Sequence, residues 1–135
     1  MHWKIPLSDL NYGPEEEEAV SAVIRSGWLS MGAVTQAFEA EFAAFVGAKH
    51  ALALTNATAA LHLACLACDL GPGDEVILPA LTFVSSANAV RYTGATPVFA
   101  DIESEDWLTL APSAIEAAIT PRTRAIMVMH YAGFP

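Results

Sequence analysis

Residues 50–70, H-A-L-A-L-T-N-A-T-A-A-L-H-L-A-C-L-A-C-D-L, decide the fold that we predict for this chain. Residues 50–54 are apolar and of strand length, and alanine, leucine and cysteine recur at helical spacing from residue 57 onward. The polar turn T-N-A-T lies between the two segments. The first amides of a helix have no intrahelical partner and carry the positive end of the helix dipole, so this turn is suited to bind phosphate. Thr55, Asn56 and Thr58 are equally ordinary N-cap residues, and a cap needs no ligand.

The turn differs from the common nucleotide-binding loops. The dinucleotide fingerprint G-x-G-x-x-G uses glycines to let a pyrophosphate approach the backbone, and residues 55–58 contain none. The P-loop pattern is absent as well. If the turn binds an anion, we expect a single terminal phosphate group.

Short apolar strands alternate with helices along the chain. We predict strands at 50–54, 75–78, 97–100 and 124–129, with helices between them from residue 57, at 84–92 and at 112–119. This order predicts an α/β fold with three layers, α/β/α, around a mostly parallel sheet. Ligands of such sheets bind beyond the carboxyl ends of the strands, so residues 55–58, residues 81–83, Asp101 and His130 should meet at one edge.

Two helices precede this alternation. One begins at Pro14, and the other spans residues 34–46 and carries a stripe of three phenylalanines, Phe38, Phe42 and Phe45, that we assign to the core. The loop between the helices displays Trp28 between two glycines. A tryptophan in such a loop is either a ligand contact or an apolar packing residue.

Composition and charge exclude several classes of protein. Six basic and 15 acidic residues give a formal charge of −9, so the net field repels a nucleic-acid backbone. No apolar run approaches the roughly 18 residues of a membrane span, and the N-terminus lacks a signal-peptide hydrophobic region, so we expect a cytoplasmic protein with no membrane partner. Cys65 and Cys68 form C-x-x-C inside a predicted helix without further ligands, which favours buried apolar residues and no metal site.

Five phrases of the sequence occur together in the order of one enzyme family: G-W-L-S-M-G-x-x-T-x-x-F-E, T-N-A-T-A-A-L-H-L, G-P-G-D-E-V-I-L-P-A-L-T-F-V-S-S-A-N-A-V, Y-T-G-A-T-P-V-F-A-D-I and I-T-P-R-T-R-A-I-M-V-M-H-Y-A-G. Over nearly the whole chain the sequence resembles the DegT/StrS family of sugar-nucleotide aminotransferases. The resemblance implies pyridoxal 5'-phosphate (PLP) as cofactor. It also implies the PLP-dependent aspartate-aminotransferase-like (type I) fold, of which this chain would form the N-terminal part of the large domain.

The resemblance assigns cofactor contacts residue by residue. It implies that Thr58 and Ala59, together with Asn56 and Ala57, hold the cofactor phosphate at the helix start, which agrees with the turn described above. Many relatives have glycine where Ala57 stands. Phe83 matches the aromatic residue that stacks on the pyridine ring, although a core phenylalanine is the alternative.

Three further residues are candidate contacts to the cofactor or the substrate. His130 ends a strand that faces the cofactor in this family, although it is also an ordinary strand-end histidine. Trp28 and Ser30 lie in a loop that in relatives is close to the active site, often across the dimer interface.

No catalytic residue is assigned within this segment. The resemblance implies that the catalytic lysine and the aspartate paired with the pyridine nitrogen lie downstream, and the two lysines present, Lys4 and Lys49, match neither position. We therefore expect a truncated chain that is inactive alone. Residues 1–33 would form an arm, a helix and a loop, and residues 34–135 the first part of the PLP-binding large domain.

The function predicted for the full-length protein is transfer of an amino group from an amino-acid donor, most simply glutamate, to a keto-sugar nucleotide by a homodimeric enzyme. Two alternatives stay open. A PLP- or PMP-dependent sugar dehydratase or lyase would share this part of the fold, and a non-catalytic phosphate-binding scaffold would need only the turn.

Overall fold

The structure is a computed structural model that describes residues 10–135. Its elements in chain order are α1 (Pro14–Ser26), α2 (Ala33–Val46), α3 (Ala57–Ala67), β1 (Glu75–Pro79), α4 (Ser85–Tyr92), β2 (Thr96–Ala100), α5 (Pro112–Ala118), β3 (Thr123–Ile126) and a 3-10 turn (Tyr131–Gly133). The chain divides into two compact units between Ala53 and Leu54. This division does not coincide with the domain boundary that we predict after residue 33. The predicted domain boundary stays a prediction.

The first unit contains α1 and α2. Before α1, the amide of Gly13 donates to Glu16 Oε2 at 2.7 Å, and this bond lowers the pKa of the Glu16 carboxyl. Gly27 ends the helix in the left-handed conformation, at φ 72°. Glycine suits this position because a residue with a side chain is strained there.

The phenylalanine stripe of α2 is not in a core. Phe38, Phe42 and Phe45 are 56%, 47% and 87% exposed, and on this helix Ala43 is the residue that is buried. The prediction that the stripe is core was therefore wrong for the described residues. Spacing shows which face of a helix is apolar but not what covers it.

The second unit is built around a three-stranded parallel sheet in the order β2-β1-β3. All five residues of β1 are buried, as expected for a central strand in a parallel sheet. Its side chains alternate between the two faces. Val76 and Leu78 pack in a cluster with α4 residues, whereas Ile77 packs on the other face with residues that include Ile115 of α5.

Helices thus cover both faces of the sheet, which confirms the predicted α/β fold with three layers. On the first face, α4 lies beside α3, and Cys65 and Leu70 enter the same cluster as Val76 and Leu78. The buried position of Cys65 raises the pKa of its thiol, because the charged form is disfavoured by desolvation. Cys65 therefore has the predicted role of a small apolar core residue, but the same prediction was wrong for Cys68, which is exposed.

The predicted strand at 50–54 was wrong. These residues have no regular secondary structure, and the sheet of the described chain contains three strands instead of four. Their one bond to a side chain runs from the amide of Ala53 to Glu39 Oε1, at 2.8 Å. An apolar run becomes a strand only when a neighbouring strand pairs with it, and none does so within residues 10–135.

A buried carboxylate ties β1 to the chain before β3. Glu75 is 7% exposed and accepts hydrogen bonds from Thr120 Oγ1 and from Nε and Nη2 of Arg122, with Nε at 2.9 Å. The bonds from Thr120 and Arg122 lower the pKa of the Glu75 carboxyl, because they stabilise its charged form. This cluster lies at the amino edge of the sheet, since Glu75 begins β1.

We expect Glu75→Gln to lower the unfolding midpoint of the intact protein at pH 7. Because the folded-state pKa of Glu75 is below its unfolded value, the charged form stabilises the fold above the unfolded pKa of about 4.3, and this contribution is lost as the pH falls through the folded pKa. The difference between wild type and variant should therefore shrink below about pH 4. Thermal unfolding at a series of pH values measures it, with Glu116→Gln, on the exposed face of α5, as control. A difference that is constant from pH 7 to pH 3 would contradict this assignment.

Candidate functional site

The turn at 55–58 is the N-terminal cap of α3. Asn56 is the cap residue, with extended backbone, and its Oδ1 accepts a hydrogen bond from the amide of Ala59 at 2.9 Å. The Asn56 carbonyl accepts from Ala60 N at 3.2 Å. Within the described chain, the amides of Ala57 and Thr58 have no partner. The side-chain cap therefore occupies one of the early donors of the helix and leaves two for an anion.

The surroundings of the cap suit a phosphate. The first turn of α3 contains no acidic residue that would compete with an anion. Thr58 is half-buried, and its hydroxyl makes no hydrogen bond to any residue in the described range. The positive end of the α3 dipole, two amides and a hydroxyl are thus available in adjacent residues.

Phe83 lies in the connection from β1 to α4, at the carboxyl end of the central strand. Its side chain is 74% exposed, so the alternative of a core phenylalanine does not hold for the described residues. The adjoining helix start is buried at Ser85 and Ser86. An exposed ring on an anchored backbone is an apolar face available to a flat ligand.

Two contacts show how α3 and α4 are oriented relative to one another. The His62 and Tyr92 rings meet edge to face, with centroids 5.3 Å apart, and a side chain at Gly94 would lie 3.0 Å from Cγ of Pro72. The C-terminal ends of both helices therefore lie at the amino edge of the sheet. Asn56 lies six residues before His62 on α3, and Ser86 lies six residues before Tyr92 on α4. Six residues of a helix span about 9 Å. The α3 cap and the Phe83 loop therefore both lie toward the carboxyl edge, and their meeting in one site stays a prediction.

His130 is not at the end of a strand. β3 ends at Ile126, and one further ladder bond, from Met127 N to the Ile77 carbonyl, extends the pairing by a single residue. His130 instead precedes the 3-10 turn, is exposed, and lines a groove with Glu103 and Ser113 near the start of α5. It therefore lies on the α5 side of the sheet, on the face opposite to α3 and α4.

Asp101 lies at the predicted edge but is engaged by its own loop. It directly follows β2, its Oδ1 accepts from Ile102 N at 2.8 Å, and its carbonyl accepts from Ala111 N at 3.1 Å. These bonds close the excursion between β2 and α5. Asp101 therefore has a structural role in this region.

Trp28 and Ser30 belong to the first unit, in the loop between α1 and α2. The indole Nε1 of Trp28 donates to the Met31 carbonyl at 3.1 Å, and a side chain at Gly32 would clash with this nitrogen. Gly32 is thus required for the close approach of the indole. The Trp28 side chain is nevertheless 64% exposed, so its outer face remains available.

One feature of the site was not predicted from the sequence. The hydroxyls of Thr82 and Ser86 lie 3.0 Å apart and bridge the two sides of Phe83. The only sequence signal is the i, i+4 spacing of two small hydroxyl residues, which is too common to single out.

Within residues 10–135, no three or more His, Cys, Asp and Glu side chains cluster in a way that could hold a metal ion. Among the helices described, none has the length and apolar character needed to cross a membrane.

The sequence profile of the DegT/DnrJ/EryC1/StrS aminotransferase family matches residues 11–135. The chain belongs to this family. The resemblance that the five sequence phrases carry is thereby confirmed, and so is the fold that it implied.

Three relatives show the extent of the similarity. SpsC of Bacillus subtilis (strain 168), a spore coat polysaccharide biosynthesis protein, is 54% identical over 129 residues, which are 96% of this chain and 33% of SpsC. The structure of DesV from S. venezuelae is 45% identical, has a TM-score of 0.82, and aligns over 90% of this chain and 32% of DesV. Spr1654 of Streptococcus pneumoniae, a candidate sugar aminotransferase, is 33% identical in its PMP form, with a TM-score of 0.90 over 98% of this chain and 33% of its own.

The chain thus spans about a third of the length of each of these family members. Spr1654 is also known in a PLP form, with the same TM-score of 0.90. Both forms support the prediction of PLP as the family cofactor.

Proposed function

We propose that this chain supplies the phosphate-binding and ring-stacking part of a PLP-dependent aminotransferase that transfers an amino group from an amino-acid donor to a keto-sugar nucleotide. The observation that carries the proposal is the pair of Ala57 and Thr58 amides, which have no partner within residues 10–135, on the same side of the sheet as the exposed Phe83 ring. Membership of the family supports the reaction class. The names of SpsC and Spr1654, which mention polysaccharide biosynthesis and a sugar aminotransferase, support the class of substrate.

The residues present fit the cofactor. A dianionic phosphate needs several donors and a positive potential, and the start of α3 offers the Ala57 and Thr58 amides, the Thr58 hydroxyl and the helix dipole. A pyridine ring needs a flat apolar face, which Phe83 provides. When bound, PLP supplies an electron sink for the amino-group transfer. Ala57 and Thr58 would bind and orient it at one end, while Asn56 holds the helix start in place.

The proton-transfer chemistry is proposed to come from outside this chain. Lys49 belongs to the first unit and Lys4 lies outside the described residues. Neither matches the position of the family's catalytic lysine. The lysine and the aspartate that pairs with the pyridine nitrogen are therefore sought in the downstream sequence of the complete protein.

The test uses the intact protein, encoded by the complete reading frame that contains this chain. Addition of PLP should give an absorbance band near the edge of the visible range. Incubation with 15N-labelled glutamate and a keto-sugar nucleotide should give a 15N-labelled amino sugar, identified by mass spectrometry. A product that has lost water without gaining nitrogen would instead support the dehydratase or lyase. Absence of both the band and any product would reject the proposal in favour of a scaffold.

A homodimer is the proposed assembly, with Trp28 and Ser30 near the active site of the partner subunit. The exposed outer face of the Trp28 indole supports this role, since a buried indole would have no surface to offer. Light scattering of the intact protein at micromolar concentration measures the mass. A monomer would reject the assembly without affecting the cofactor site.

Phe83→Ala should weaken PLP binding about two- to tenfold, because stacking of aromatic rings contributes about 0.5–1.5 kcal/mol beyond the area buried. The unfolding midpoint should change little, since the ring is exposed. Fluorescence titration of the intact apo-protein with PLP measures the dissociation constant. Phe83→Tyr keeps a stacking face and is the matched control. Equal affinity of wild type and Phe83→Ala would show that the ring does not contact the cofactor.

A further inference from the structure

From the contacts around Phe83 we infer that the hydroxyl pair of Thr82 and Ser86 positions the Phe83 ring, and thereby sets the affinity of the site for a flat anionic heterocycle. This inference rests on the proposed function. It adds two residues that act by positioning Phe83. The observation behind it is the 3.0 Å distance between Thr82 Oγ1 and Ser86 Oγ, across the residue that the site needs.

Among residues 10–135, the Phe83 ring has little packing of its own. It is 74% exposed, and its neighbours in sequence, Thr82 and Val84, are half-buried and 62% exposed. A side chain with so few contacts takes its direction from its backbone. The position of the ring therefore depends on what fixes residues 80–86.

Besides the helical bonds of α4, such as the one from Asn88 N to the Val84 carbonyl, three hydrogen bonds fix this segment. Ala80 N donates to the Ala100 carbonyl at 3.0 Å and ties the beginning of the loop to β2. Ser86 N donates to the Phe83 carbonyl at 3.1 Å and closes the first turn of α4. The hydroxyl pair of Thr82 and Ser86 is the third, and it joins the residue before Phe83 to the helix after it.

The hydroxyl pair has a firm anchor at one end. Ser86 is 8% exposed and belongs to a helix whose Ala89 and Val90 are fully buried against the sheet. Thr82 is half-buried in the loop. The bond thus connects the loop to a buried helix, and because its environment is partly desolvated, loss of one hydroxyl leaves the other unsatisfied.

The α4 start makes this bond more important. Val84, the residue before the helix, makes no side-chain cap. A helix start without a side-chain cap frays more readily, and the bond between the Thr82 and Ser86 side chains ties the residues before α4 to its first turn. Removal of the bond should let residues 82–84 sample several conformations and take the ring out of its stacking position for part of the time.

The test is a double-mutant cycle between Thr82→Val and Phe83→Ala in the intact protein. Thr82→Val replaces the hydroxyl by a methyl group of similar size and should weaken PLP binding about three- to tenfold. In the Phe83→Ala background the same substitution should have almost no effect, since it acts through the ring. Thr82→Ser keeps the hydroxyl and should bind as wild type does. The circular dichroism of bound PLP, which reports how its ring is held, should decrease in Thr82→Val.

Ser86→Ala, which removes the other hydroxyl, provides the same test if Thr82→Val does not fold. An equal loss of affinity in the wild-type and Phe83→Ala backgrounds would overturn the inference, because Thr82 would then act independently of the ring. Unchanged affinity in both single variants would overturn it as well. If wild type itself does not bind PLP, it is the proposed function that fails.

Discussion

Ala57→Pro should weaken PLP binding by the intact protein about 10- to 100-fold, while α3 remains folded. Ala57 is the first residue of α3, where proline is tolerated because the amide has no intrahelical partner. Asn56, which precedes it, already has the extended backbone that a residue before proline prefers, at ψ 168°. The substitution thus removes one donor of the proposed phosphate site and little else. A hydrogen bond to a charged group contributes about 1.5–3 kcal/mol, which gives the expected loss.

The matched control is Ala57→Ser, which adds a polar side chain and keeps the amide. It should bind PLP within about threefold of wild type. Far-ultraviolet circular dichroism verifies that the helix content is unchanged, and fluorescence titration gives both dissociation constants. Ala57→Pro with intact helix content and wild-type affinity would show that the Ala57 amide does not bind the phosphate.

Leu78→Ala should destabilise the intact protein by about 2–5 kcal/mol. Leu78 is fully buried in the central strand, in the cluster that joins β1 to α3 and α4. The truncation removes apolar contacts and leaves a cavity that a packed sheet fills only in part. Because this cluster holds α3 and α4 side by side, we also expect weaker PLP binding near the unfolding transition.

Urea denaturation at 25 °C measures the change in the free energy of unfolding. Leu78→Met nearly conserves the volume and should cost less than about 1.5 kcal/mol. If Leu78→Ala lowers the free energy of unfolding by less than about 1 kcal/mol, the structure around residue 78 relaxes to fill the cavity. Burial of β1 on both faces would then not be what stabilises this unit.

The sequence predicts best where a local rule is sufficient. The α3 start was predicted because Asn56 before an alanine-rich helical pattern is a strong cap signal, and the structure shows its Oδ1 bonded to Ala59 N. β1 was predicted because G-P-G-D before an apolar run defines a turn followed by a buried strand. The role of Phe83 came from the resemblance, since no spacing rule indicates an exposed stacking ring.

The sequence predicts least where the partner is distant. The strand at 50–54 was wrong because pairing depends on a neighbour that periodicity cannot supply, and His130 was misplaced because β3 ends four residues before it. The salt bridge of Glu75 with Arg122 joins residues 47 positions apart. Such contacts depend on the sheet topology, and the local sequence around either residue does not predict them.

The strand order β2-β1-β3 has a consequence for synthesis on the ribosome. β1 is made first and lies in the middle, so one side of it stays unpaired until Ile126, the partner of Ile77, has emerged. At about 5–20 residues per second, this interval lasts roughly 2–10 seconds. During that time the nascent polypeptide exposes a fully apolar strand edge, Val76 to Pro79, that chaperones would be expected to shield from aggregation.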